Sequence, residues 1–192
     1  MTKENTAHET EIQDEALLVE RAKSDLGAFG LLYEKYVKKI YNYVYYRTSN
    51  HYDAEDLTAK TFHRALKHIP RYQQRGLPFS AWLYRIAHNL VANWHRDQNR
   101  RKVIALDELL LYHQGKQSPE GLVEEDEERR VLLRGIRRLP ADRQQLLILK
   151  HVEGMTNKEA GEIMGRSEGA IKSLYHRTLV ALRKEMLSES GS

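Results

Sequence analysis

The chain of 192 residues has no cysteine. Disulfides, thiolate metal sites and cysteine nucleophiles are therefore excluded, and a reducing, cytoplasmic setting is expected. The opening stretch MTKENTAHETEIQDEALL lacks an apolar segment and does not read as a signal peptide. No apolar run approaches the ~20 residues that span a bilayer. There is no internal repeat, no strand alternation and no glycine-rich phosphate loop. Nine histidines are present, but His63/His68 and His88/His95 are not one helical turn apart, so they do not set two metal ligands side by side. No catalytic site, metal or cofactor is expected, and nothing calls for a stable homo-oligomer.

What is present is apolar and charged in helical measure. Hydrophobic residues make up 41% and charged residues 30%, enough for small helical domains but not for one large core. The net charge is +4 and the pI about 9.2, a mild basic excess that only hints at nucleic acid. Its distribution says more. Between Phe79 and Lys102, Arg85, Arg96, Arg100, Arg101 and Lys102 face Asp97 alone. From Val103 to Glu128 the balance reverses, with Asp107, Glu108, Glu120 and the acidic run 124–128 against Lys116. From Arg129 onward it is basic again. Two cationic modules joined by an anionic connector are expected.

Helical periodicity starts near Asp14, with Leu17, Leu18 and Ala22 on one side. A second helix spans about Leu26 to Thr48, its buried stripe formed by Leu32, Tyr36, Ile40 and Tyr43. Asn50-His51-Tyr52 breaks it. Asp53 then caps a third helix with Asp56 in its first turn, and Leu57, Thr61, Ala65 and Leu66 face inward. Pro70 ends it. The loop RYQQRGLP (71–78) leads into a fourth helix, FSAWLYRIAHNLVANWHRDQNRR. Residues 103–123 read as an acidic linker, although Leu109 to Tyr112 are too apolar for a solvated tether. A fifth helix covers about 124–138, and a sixth runs from Pro140 to Glu153-Gly154.

The strongest local signal is GMTNKEAGEIMGRSEGAIKSLYHRTLVALRK. Thr156 and Glu159 form a capping box. Gly165 stops the short helix in a left-handed conformation, and Ser167 caps the next. Ile171, Leu174, Thr178 and Leu182 supply the buried stripe of that second helix. Two helices joined by MGRS make a helix-turn-helix. Gly161 costs about 1 kcal/mol inside a helix, which is reasonable where two helices approach too closely for a side chain. Ser167, Glu168, Lys172, Ser173, Tyr175, His176 and Arg177 would face the major groove of duplex DNA. Arg177, with Arg183 and Lys184, suits phosphates.

The fourth helix and the loop before it combine rings with cations: Arg71, Tyr72 and Arg75, then Tyr84, Asn89 and Asn93. Unpaired bases stack on rings while arginines track the backbone, so single-stranded nucleic acid is the natural partner. Trp82 and Trp94 fall on the apolar stripe and read as core; Tyr84 reads as free.

DAEDLTAKTFHRAL, then PFSAWLYRIAHNLVANWHRD, then LPADRQQLLILKHVEGMTNKEAGEIMGRSEGAIKSLYHRTLVALRK resemble, in order, a bacterial RNA polymerase sigma factor of the extracytoplasmic-function class. The resemblance covers about residues 26–102 and 129–187. It implies an all-α fold: an N-terminal tail (1–13), a region 2 domain (14–102), a linker (103–123), a region 4 helix-turn-helix domain (124–187) and a short tail (188–192). It implies core RNA polymerase as partner, through the coiled coil of the largest subunit and the flap region. Asp53, Glu55, Asp56 and Thr58 match the family's docking helix. Promoter DNA is implied both as duplex, at the upstream element, and as captured single strand, at the downstream element. The downstream role falls on loop 71–78 and on His88, Asn89, Asn93 and Arg96. An anti-sigma factor is a further implied partner. The chain departs from the family at Ala59-Lys60, where a glutamine and an acid are usual, at Ala160, where a large aliphatic is usual, and at Leu174, where arginine is common; Leu174-Tyr175 would then alter the sequence read. A stand-alone helix-turn-helix regulator and a helical protein-interaction module are the alternative readings.

Overall fold

The computed structural model describes residues 14–74, 76–97 and 131–189. All regular structure among them is helical. The helices are α1 (14–22), α2 (Leu26–Thr48), α3 (His51–His68), α4 (Phe79–Asp97), α5 (131–138), α6 (Ala141–Leu147), α7 (Asn157–Met164) and α8 (Glu168–Glu189). A 3-10 turn, Ile69–Arg71, follows α3, and a π-helical turn, Ile148–Val152, extends α6. The described chain divides into two compact units: residues 14–44 and 50–97, and residues 131–189 grouped with Tyr45–Ser49 at the end of α2. The acidic linker, the residues 124–130 expected to begin the fifth helix, the N-terminal tail and residues 190–192 lie outside the described residues, while α8 runs on through 188 and 189 of the expected C-terminal tail.

In the first unit, Leu32, Tyr36, Ile40 and Tyr43 are all buried, as the spacing predicts. Asp25 accepts from the Gly27 N–H at 2.8 Å and starts α2. In α1 the inward residues are Val19 and Ala22, whereas Leu17 is 62% exposed; the face is turned relative to the expected one. The start of α3 also differs. Asn50, not Asp53, is the cap: its Oδ1 accepts from the Asp53 N–H at 3.1 Å, and the helix begins at His51. Asparagine matches aspartate as a cap, and its earlier position leaves Asp53 inside the first turn. Leu57, Thr61 and Ala65 are buried as expected, but Leu66 lies at the exposed edge. Pro70 sits in the 3-10 turn, where its missing N–H cannot continue α3.

The second unit follows the local signals closely. Thr156 Oγ1 accepts from the Glu159 N–H, and the Glu159 carboxylate accepts from the Thr156 N–H at 2.6 Å. Gly165 has φ +66°, and Ser167 Oγ accepts from the Ala170 N–H at 3.3 Å. Ile171, Leu174, Thr178 and Leu182 are buried. A Cβ on Gly161 would lie 2.6 Å from the Arg166 carbonyl oxygen, so the turn between α7 and α8 closes over a position only glycine fits. Leu139, Leu147 and Leu182 form a core over which Ile136 and Tyr175 pack.

Candidate nucleic-acid interfaces

Three surfaces carry the residues singled out above. On α3, Glu55 and Asp56 are exposed. Asp56 pairs with Lys60 at 2.6 Å, so the departure at Lys60 answers an acid one turn earlier on the same helix. Asp53 is partly buried, and its Oδ1 accepts from Trp94 Nε1 of α4 at 3.1 Å. That hydrogen bond ties the two helices together. Thr58, the fourth candidate polymerase contact, is only 5% exposed, and its hydroxyl is buried with no hydrogen-bond partner. It lines a groove of about 310 Å³ between α2 and α3, with Tyr33, Val37, Lys38 and Tyr41 on the α2 side.

The loop and α4 make the second surface. Arg71 is exposed, while Tyr72 is half-buried in an aromatic cluster. Its ring centroid lies 4.9 Å from that of Trp82 and 5.5 Å from that of Phe79, and Trp82 lies 5.4 Å from Phe79. Burial, and then the charges of Glu15 and Glu20, push the Tyr72 phenol above its usual range. Tyr72 and Trp82 line an open cleft of about 530 Å³ with His68, Arg71, Gln73 and Arg85. Rings with cations beside them are what unpaired bases and their phosphates require. Sequence reasoning gave Trp82 to the core and passed over His68 and Arg85. The i, i+3 spacing of Trp82 and Arg85 was the available signal, since it sets both on one face of α4.

Tyr84 corrects the expectation made for it. It is 1% exposed and meets Tyr43 edge to face at 5.2 Å, so it belongs to the core of the first unit. It stands between the apolar Leu83 and the charged Arg85, and only the packing of α4 against α2 decides its side. His88 is half-buried, with Nδ1 3.5 Å from the Tyr43 hydroxyl. Asn89 and Arg96 are exposed; the Arg96 guanidinium donates to Asn93 Oδ1 at 3.1 Å, pairing those two residues one turn apart. Arg75 lies outside the described residues.

The third surface is the start of α8. Ser167, Glu168, Lys172, Ser173, His176 and Arg177 are exposed. Tyr175 is half-buried: its hydroxyl meets His151 Nε2 at 2.9 Å, and Lys150 Nζ lies 5.9 Å from its ring centroid. It packs back over the hairpin. Leu174 is 4% exposed and fills the core of the second unit. Among the described residues no three acids or histidines cluster as a metal site, and no helix is long and apolar enough to cross a membrane.

An all-helical chain of two units, one a helix-turn-helix and the other an aromatic and cationic cleft, has the geometry of a nucleic-acid-binding protein. The comparisons sharpen this. Residues 32–101 match Sigma-70 region 2 and residues 129–182 match Sigma-70 region 4. The chain is 31% identical to the ECF RNA polymerase sigma factor SigW of Bacillus subtilis (strain 168), over 85% of its own length and 91% of that protein. It is 39% identical to the ECF sigma factor BldN of Streptomyces coelicolor, over 87% of its length but only 64% of BldN. In fold it is similar to CnrH, solved with the cytosolic domain of CnrY, at a TM-score of 0.62 and 20% identity over 93% of this chain and 99% of that one. It is similar also to RpoE of Bartonella quintana, solved with the anti-sigma factor NepR, at 0.57 and 21% over 82% and 96%. The chain belongs to the ECF class of RNA polymerase sigma factors.

Proposed function

We propose that this chain is a promoter-specificity subunit of bacterial RNA polymerase, acting in the cytoplasm and carrying no catalysis of its own. The observation that carries the reading is the pairing of two nucleic-acid surfaces of different chemistry on separate units. The helix-turn-helix (domain 124–187) suits a duplex upstream element: Lys172, Ser173 and His176 lie toward the groove, and Arg177 suits phosphate. Tyr175 acts from behind, holding α8 against His151. The first unit (domain 14–102) suits the opened downstream element. Tyr72 and Trp82 offer rings for an unpaired base, flanked by Arg71 and Arg85, and Asn89, Asn93 and Arg96 extend the same role along α4. Arg75 in the same loop adds a further cation. Unstacking costs a few kcal/mol per base step, and stacking on a protein ring returns about 1–3 kcal/mol per base. Capture can thus offset opening only when polymerase contacts add to it.

Those contacts fall on the groove between α2 and α3, lined by Glu55 and Thr58, and on the exposed Asp56 of the same helix. The partner is the coiled coil of the largest polymerase subunit, with the flap region meeting the second unit. Asp53 serves there by holding Trp94. The separate units, joined by the 103–123 linker, also suit an anti-sigma factor, the kind of partner that RpoE of Bartonella quintana was solved with.

In vitro transcription tests the reading. Purified chain is added to core polymerase on a pool of genomic fragments, and the starts are mapped. New starts sharing two upstream boxes are expected. No new starts, with duplex binding intact and no capture of core, would instead make the chain a stand-alone helix-turn-helix regulator.

A further inference from the structure

Helix α1 precedes the residues that match region 2, yet it is wired to the cleft. The Glu15 carboxylate, 14% exposed, accepts from Lys35 Nζ at 2.5 Å and from the Tyr36 hydroxyl. Tyr36 is 4% exposed, and its ring lies 6.0 Å from Phe79. Phe79 is the buried residue on which both Tyr72 and Trp82 rest. Glu15 and Val19 also line, with Tyr72 and Pro78, a cavity of about 210 Å³ under the loop. Tyr72 itself stands beyond the 3-10 turn, where one backbone hydrogen bond, from its N–H to the Ile69 carbonyl at 2.9 Å, ties it to the turn. Its ring is otherwise positioned by what it leans on.

We propose that Glu15 is a positioning residue for single-strand capture: through Tyr36 and Phe79 it fixes the angle at which Tyr72 and Trp82 present their rings to the cleft. The proposal rests on the function given above and deepens it. Electrostatics alone makes the opposite forecast. A carboxylate near a phosphate path opposes binding, and removing it frees Lys35 to attract DNA. The sign of the effect therefore separates a brace from a bystander.

The experiment uses the full chain and two fluorescein-labelled probes of randomised sequence: a single-stranded 12-mer and a duplex. Anisotropy gives the affinity for each at fixed salt. Glu15→Ala, which removes the acceptor for Tyr36, is expected to weaken single-strand binding about tenfold, roughly the worth of one stacked base. Duplex binding is expected to stay unchanged. Glu15→Gln, which keeps an oxygen for the Tyr36 hydroxyl while losing the charge, is expected to restore parental binding or exceed it. Equal or tighter single-strand binding by Glu15→Ala overturns the brace. So does a loss of helical circular-dichroism signal at the assay temperature, which marks unfolding of the first unit, or a loss that Glu15→Gln leaves in place. A parent chain that ignores the single strand while binding duplex overturns the capture reading itself, and the brace with it.

Discussion

The two units build their binding surfaces by opposite means. In the helix-turn-helix, the contacts that start and stop its helices are local: Thr156 to Glu159 and Ser167 to Ala170, each three residues apart, with Gly165 in between. In the first unit they are distant: Asp53 to Trp94, 41 residues apart, Tyr43 to Tyr84, and Glu15 to Tyr36, 21 apart. A surface built from caps is stable in outline wherever its two helices meet. A surface built from long-range ring contacts exists only once the whole unit is packed. Single substitutions should therefore spread through the first unit and stay contained in the second.

The largest expected effect sharpens that contrast. Tyr84→Ala empties a fully buried site and is expected to destabilise the first unit by about 4 kcal/mol. Chemical denaturation followed by circular dichroism should show its transition shift while that of the second unit holds. A Tyr84→Ala chain of parental stability but poor DNA binding would return Tyr84 to the surface and break the contrast. Next in size is Gly161→Ala. The new Cβ would meet a backbone carbonyl at 2.6 Å, an overpacking of about 2 kcal/mol only partly offset by the ~1 kcal/mol helix preference of alanine. Duplex binding should fall with stability. Gly169→Ala on α8 is its control: nothing lies within 4 Å of the added carbon, and a gain of up to about 1 kcal/mol is expected.

The same division explains what the sequence made legible. The capping box, the left-handed Gly165 and the tight approach at Gly161 could be read from neighbours alone, because the groups that satisfy one another are a few residues apart. The stripe of α2 could be read from its period. Tyr84 and Thr58 could not be read, because a helix surrounded on more than one side has no single polar face, and the crossing partner decides which residues are covered. Asp53 matches the family's docking helix, and its Oδ1 accepts from Trp94 Nε1, 41 residues away. That bond is invisible to any local rule. Trp82 shows the limit from the other direction: a residue on the apolar stripe can pack on Phe79 and Tyr72 and still line a cleft. Leu174 is a milder case. Family resemblance pointed to a base-reading position, whereas the buried period of α8 pointed to the core, and the period was right.

The smallest expected effect tests the docking groove, through two threonines one turn apart. Thr61 Oγ1 donates to the Leu57 carbonyl at 2.7 Å, whereas the Thr58 hydroxyl is buried with no partner. Replacing each by valine keeps the shape and removes the hydroxyl. Thr61→Val should lose about 1 kcal/mol with its hydrogen bond, and Thr58→Val should gain about as much, because an unsatisfied hydroxyl leaves the interior. Thermal unfolding reads both signs. Core polymerase binding then decides what Thr58 is for. If docking uses only the exposed acids, Thr58→Val binds core as the parent does. If it is stabilised yet binds core more weakly, the groove must open on docking and the hydroxyl must find its partner on the polymerase. The first unit would then hold the Thr58 hydroxyl in reserve for its complex, whereas the Thr156 and Ser167 hydroxyls of the second unit accept from their own helices.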